Sequence, residues 1–428
     1  MIVGVRPAVV AAAVALVPAA EDVRRGAGAA GPAVAMVEPG GAAQGYWPRW
    51  RGPSGQGLAV GEGYPDAWSD TENVAWRTAV PGRGHSSPIV WEDLIVLTTG
   101  YDDGRVAVVA FRRSDGRRLW ETVAPDTTPE TLHRKNSHAS ATPSTDGRRV
   151  YAFFGNKGLV AVDLDGTLAW HRSLGAFANY HGTAGSPLLY EDRLILFQDH
   201  RDGAFIAAFD TGTGRELWRT GRRGTVGWGT PVAVRVGDRV EIVVNGQDRV
   251  VAYDPATGRE LWSCDGTTRE VIPTPVVGHG LVFCSSGRAG PTLAIRPGGQ
   301  GDVTATHVAW KETKGSPFVP SPLVAGDYLY MVNDMASVAT CYRAAKGELV
   351  WQGRLGEAQR EGFSASPVFA DGKVFFTNDR GETFVLRAGA EFDLLRVNRL
   401  NASVLASPAL VDGRFYLRTA RELVAIGR

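Results

Sequence analysis

Apolar and polar positions alternate along most of this chain, and the alternation breaks at regular places. In Ile206–Trp218 (IAAFDTGTGRELW) an apolar run meets a polar turn with Gly, and a short run then ends in Trp. The pattern returns as VVAYDPATGRELW at Val250–Trp262 and VVAFRRSDGRRLW at Val108–Trp120. It recurs again as LVAVDLDGTLAW at Leu159–Trp170 and ATCYRAAKGELVW at Ala339–Trp351. β-Branched and aromatic residues at period two, interrupted where Gly supplies a positive φ, predict a β-hairpin each time. A hairpin at near-constant spacing predicts a repeat architecture.

A second marker opens each repeat, a Ser-Pro or Thr-Pro pair before an apolar run. It occurs at Ser87-Pro88, Thr142-Pro143, Ser186-Pro187, Thr230-Pro231, Thr274-Pro275, Ser321-Pro322, Ser366-Pro367 and Ser407-Pro408. The Pro-to-Pro intervals are 55, 44, 44, 44, 47, 45 and 41 residues. Eight units of about four short strands match the period of a β-propeller. Pro is tolerated there as the first residue of a strand, where a ladder donor can be spared.

The eighth unit offers three strands, Ser407–Leu410, Arg414–Arg418 and Glu422–Ile426, before the sequence stops. The missing fourth is Glu72–Val80 (ENVAWRTAV), which carries Trp76 at the Trp position of the repeat. The reading is therefore all-β: an eight-bladed β-propeller of four-stranded antiparallel blades over residues 46–428. The N-terminal strand 72–80 joins the C-terminal blade and closes the ring, which leaves no open sheet edge. Trp76, Trp120, Trp170, Trp218, Trp262, Trp310 and Trp351 fall at fourth strands and are expected to pack between neighbouring blades as structural docking residues.

Composition changes this picture little. Fifty-three Gly and twenty-four Pro suit an all-β chain with many turns. A net charge of +1 from 46 basic and 45 acidic residues, with no basic stripe, argues against a nucleic-acid partner. Of three cysteines, Cys341 sits where other repeats carry Ala208 and Ala252, which suits a small buried apolar residue. Whether Cys264 and Cys284 pair stays open.

At the start, Arg6 precedes the apolar run Ala8–Val17 and then Pro18-Ala19-Ala20, the pattern of a signal peptide over residues 1–20. That run is too short for a stable membrane anchor, and no Cys follows it to accept a lipid. Residues 21–45 read as a disordered linker. Gly45–Pro53 (GYWPRWRGP) carries three aromatics and is expected to dock on the side of the repeat array. The chain is expected to be exported, periplasmic or extracellular, and monomeric.

The pattern A-x-D-x-x-T-G-x-x-x-W, intact at Ala208–Trp218 and Ala252–Trp262, resembles the tryptophan-docking motif of pyrroloquinoline quinone (PQQ)-like β-propellers. The resemblance spans roughly residues 46–428 and recurs in register with the Pro markers. It implies kinship with quinoprotein alcohol dehydrogenases and with non-enzymatic relatives such as the assembly factor BamB. The dehydrogenases carry two adjacent cysteines beside the quinone, and this chain has no such pair. None of their Ca²⁺ ligands, nor their catalytic Asp, can be placed here. BamB is a lipoprotein, and the lipid-accepting Cys is missing.

A propeller concentrates function where the loops leading into the first strands converge near the axis; we name these the inlet loops. They are the least repetitive part of the chain. They offer His85 in blade one, His133, Lys135, Asn136 and His138 in blade two, and Tyr180 and His181 in blade three. Blades four to seven offer Trp228, Arg269 with Glu270, Phe318 and Phe363. His85, His138 and His181 either converge on a ligand or metal, since imidazole is the commonest metal ligand, or line a watery funnel, each bonded to backbone. An insertion near Val123–Asn136 is expected to cross the same face.

GxSxG, HExxH and Walker A patterns are absent from the sequence. The expected function is a non-catalytic binding or scaffold module that takes a protein, peptide or small ligand at this rim, with no cofactor. The alternative is a PQQ- or metal-dependent oxidoreductase, with PQQ and Ca²⁺ as its cofactors.

Overall fold

The computed structural model describes Met1, residues 33–287 and residues 290–428. The signal segment and most of the expected linker lie outside the described residues. Eight four-stranded antiparallel blades follow one another, seven as sheets of four strands and blade four as a sheet of six with one added strand at each edge, and blade three is typical: Leu188–Tyr190, Arg193–Gln198, Phe205–Asp210 and Glu216–Gly221. The chain is an eight-bladed β-propeller. The ring closes as the sequence predicts, because Val74–Ala79 pairs with Glu422–Ile426 in the last sheet, with Trp76 opposite Ala425.

Each blade carries a bulge between its third and fourth strands, as between Ala208 and Phe209 opposite Trp218 and Glu216. The extra residue twists the outer strand beside the indole. Six indoles donate to a backbone carbonyl of the following blade: Trp76 to Arg113, Trp120 to Leu164, Trp170 to Thr211, Trp218 to Pro255, Trp310 to Ala344 and Trp351 to Gly389, all at 2.9–3.1 Å. Trp262 differs. In blade five a longer connection replaces the tight turn and lays Gly301–Asp302 parallel to Trp262–Ser263. The Trp262 indole is wholly buried and donates instead to Glu241 Oε2 of its own blade at 2.7 Å.

The Ser/Thr-Pro markers do more than start strands. The backbone N–H of Ser87 donates to Thr142 Oγ1, Thr142 to Ser186, Ser186 to Thr230, Thr230 to Thr274, Thr274 to Ser321, Ser321 to Ser366 and Ser366 to Ser407, all at 2.9–3.1 Å. Seven links thus stitch blade to blade around the axis. At the seam between the last and first blades, Arg418 Nη1 donates to Ser86 Oγ at 2.8 Å and to Thr98 O at 2.6 Å.

Two expectations need correction at the N-terminal end. Val34–Met36, placed in a disordered linker, is a strand on Val234–Val236 of blade four, and Gly41–Gly45 is a 3-10 turn. The aromatic arm does not dock on the side of the array. It crosses the innermost strands: Trp47 exchanges backbone bonds with Val90, Pro48 accepts from Thr145, Gln56 Oε1 accepts from Val277 N at 2.6 Å, and Gly57 accepts from Phe369. The physical reason is the edge itself. First strands expose unpaired backbone groups toward the axis, and a passing extended chain satisfies them. Trp47 is 1% exposed there.

Candidate functional site

Every one of the eight inlet loops contributes to one cavity of about 220 Å³ at the mouth of the channel. His85, His133, Lys135, Asn136, His181, Trp228 and Phe318, all singled out in the sequence, line it. The imidazoles of His133 and His181 lie 4.6 Å apart, and His181 stacks on Trp228 at 5.8 Å and 27°. Trp228 is fixed by its indole N–H, which donates to Gly182 O at 2.7 Å. One wall of the mouth is therefore aromatic.

The insertion after blade one crosses this face and is held there at several points. Asn156 and Lys157, from the turn between the second and third strands of blade two, donate to Pro129 O and Thr128 O at 2.7 and 2.8 Å. Glu130 accepts from the Thr183 backbone and hydroxyl, both at 2.8 Å, and Asn136 donates to His181 O at 2.8 Å. Lys135 then reaches blade seven, where its ammonium meets Asp379 Oδ2 at 3.0 Å and Glu361 O at 2.7 Å. The insertion is a strap from blade two to blade seven.

Burial and charge set the titration of the lining. Burial, with the charges of Arg418 and Lys135 added, pushes the His85 imidazole down to about 4, so it is neutral near pH 7. Behind Phe318, whose N–H donates to Asp334 Oδ1 at 2.8 Å, burial lifts the Asp334 carboxyl to about 6.

Four expected rim residues stand outside the cavity. The His138 imidazole turns toward Glu130, 3.9 Å away, so His85, His138 and His181 do not converge. Tyr180 sits on the outer rim against His181 with its hydroxyl on Glu270. Arg269 is exposed. Phe363 is 1% exposed, its ring taken into the blade-seven interior beside Phe384.

The sequence reading missed Ser140, Ala184, Ile272, Val319, Ser364 and Leu405, and left out the carboxylate Glu361; Glu270, offered with Arg269, does line the cavity. A signal for the first six was present. Each lies three residues before a marker Pro, as do His85 and Trp228. Residues three and one before each Pro both face the axis, which is the period of an extended chain. They build two stacked rings, a collar of eight varied residues and a ring of eight hydroxyls. These line a second cavity of about 130 Å³ that continues inward from the mouth. Trp50, from the N-terminal arm, also lines it.

A Ca²⁺ ion held by clustered carboxylates does not fit this lining. Among the described residues no group of three His, Cys, Asp or Glu gathers to hold a metal, and the Lys135 ammonium stands beside Asp379. Cys264, Cys284 and Cys341 are unpaired thiols buried within strands, outside both cavities.

The comparisons agree with this architecture. The family model described as outer membrane protein assembly factor BamB matches residues 49–201 and 201–426. BamB from Moraxella catarrhalis is similar in structure, with a TM-score of 0.60 at 14% identity, covering 82% of this chain and 96% of that one. Quinohemoprotein alcohol dehydrogenase from Comamonas testosteroni is also similar, with a TM-score of 0.65 at 12% identity, covering 90% of this chain and 81% of that one. No curated protein sequence matches. At such identities the solved structures speak for the fold alone, but the family match runs from the aromatic arm to the last strand, and the chain belongs to the BamB-like family of PQQ-repeat β-propellers.

Proposed function

We propose that the chain is a non-catalytic binding module that captures a protein or peptide partner at the mouth of its channel. The observation that carries this reading is the convergence of all eight inlet loops, the least repetitive segments, on one cavity. Its lining joins an aromatic wall of His181 and Trp228 to apolar Ile272, Phe318, Val319 and Leu405, with Lys135, Glu270 and Glu361 at the edges. Mostly apolar concavities with a few placed polar groups suit a protruding side chain of a partner.

Export to the periplasm or outside belongs to the same proposal and rests on the segment around Ala8–Val17. N-terminal sequencing of the mature protein tests it, with a start after Ala19 or Ala20 expected. Among the described residues no helix is long and apolar enough to cross a membrane.

A photo-crosslinking residue at Phe318, introduced in the producing cell, tests the binding. A discrete adduct that is lost in Trp228→Ala, and absent when the crosslinker replaces outer-strand Leu394, supports the mouth. Equal labelling from both positions overturns it.

A further inference from the structure

We infer that the axial well below the mouth is a carboxylate site, a binding position for a compact singly charged anion presented through the collar. This rests on the proposed function and names the chemistry its ligand carries.

In the hydroxyl ring, seven Oγ atoms, from Thr142 round to Ser407, each accept a backbone N–H from the preceding blade. A hydroxyl that accepts still has one hydrogen to donate. Among the described residues none of these seven donates to an acceptor, while all seven border the cavity. The well is thus lined with donors in search of acceptors.

Charge has the same sign. No Asp or Glu lines the well. Two fully buried guanidiniums bond to immediate neighbours of ring residues. Arg418 bonds to Ser86, next to Ser87 of the ring, and Arg51 bonds to Pro367 O, next to Ser366. Both hydrogen-bond only to hydroxyl or carbonyl oxygens, and Arg51 Nε and Nη1 have no partner. Buried positive charge without a counter-charge is costly, and an anion in the well relieves it. Trp50 borders the well from the arm side, and the collar joins it to the mouth, since the eight collar residues line both cavities.

A ligand with a carboxylate end and an apolar neck therefore fits the succession of donor ring and mixed collar. The anion has two sources, a free ion or the C-terminal carboxylate of a chain entering at the mouth. The probes are sodium bromide soaked into crystals, and a tri-leucine peptide with a free or an amidated carboxyl group in calorimetry. The variant is Ala184→Phe, which fills the collar and removes no hydroxyl; circular dichroism confirms that it folds.

Bromide anomalous density inside the hydroxyl ring, lost in Ala184→Phe, supports the site. Water alone, a cation, or bromide only at surface arginines overturns it. Given bromide in the ring, free-acid peptide binding about tenfold tighter than the amide, and abolished by Ala184→Phe, supports a chain terminus as the source. Equal binding of both peptides supports the free ion. Crosslinking from Phe318 that survives Ala184→Phe while the well holds only water leaves the mouth reading standing and sinks this one.

Discussion

The backbone N–H of Ser321 donates to Ser366 Oγ at 2.9 Å, and Ser366 repeats the contact on Ser407 at the same distance. The hydroxyl is at once a strand-start marker in sequence and the fastening between blades. Ser366→Ala deletes the acceptor and leaves the Ser321 N–H buried without a partner. Denaturant unfolding should show a loss of about 1–3 kcal/mol. A loss under about 0.5 kcal/mol would mean that water replaces the hydroxyl and that the ring does not fasten the blades.

Gly214 gives a second handle on how blades meet. It holds φ +71, and a Cβ there would come within 2.7 Å of the Trp170 ring. Gly214→Ala should therefore strain its own backbone and push the indole off the Thr211 carbonyl. A loss of about 2–4 kcal/mol is expected. Gly203 has φ +98 with open space around its would-be Cβ, so Gly203→Ala should cost about 1 kcal/mol. Equal losses at the two sites would show that the turn conformation alone matters and that the indole contact adds nothing.

Most of the ring was legible in the sequence, and the reasons lie in particular residues. The Pro markers and the Trp repeat gave eight blades, and the three-stranded end at Glu422–Ile426 required the strand around Trp76. Convergence at His85, Lys135, His181 and Trp228 was also legible, because these break an otherwise repetitive pattern. The collar was overlooked at Ala184, Ile272 and Leu405, since such residues look like ordinary strand interior until the position three before Pro is tracked. His138 and Phe363 misled, because residue type says nothing about which way a loop side chain turns. The route of Trp47 and Trp50 across the innermost strands follows from free backbone edges that only the closed ring creates.

Lys135 fastens the strap to blade seven, with its side chain and that of Asp379 24% and 18% exposed. Lys135→Met keeps the apolar stem, removes the charge and leaves Asp379 with Ser364 as its remaining hydroxyl donor. Partial burial places the cost below that of a fully buried pair, at about 1–3 kcal/mol. Limited proteolysis should cut within residues 126–137 several times faster than in the parent. Cleavage at an unchanged rate would show that Glu130, Asn136 and Lys157 hold the strap without the lysine.

His85 and Asp334 face opposite pH dependences, and difference measurements separate them. The His85 imidazole is pushed down to about 4 from 6.5, so as pH falls the unfolded chain takes the proton first. Its contribution is full above pH 6.5 and is lost as pH falls toward 4. The Asp334 carboxyl is lifted to about 6 from 3.8, so the folded chain keeps a proton that the unfolded chain has released. Its penalty grows as pH rises from about 4 to 6 and is constant above. The stability of Asp334→Asn minus that of the parent should therefore increase from pH 4 to 6, by on the order of 3 kcal/mol. The same difference for His85→Gln should increase in the other direction, as pH falls from 6.5 to 4. Denaturant unfolding across pH 4–8 measures both. A pH-independent difference for Asp334→Asn would mean that the carboxyl ionises in the folded chain much as it does in water, and that its desolvation behind Phe318 is offset by the N–H groups of Phe318 and Val319.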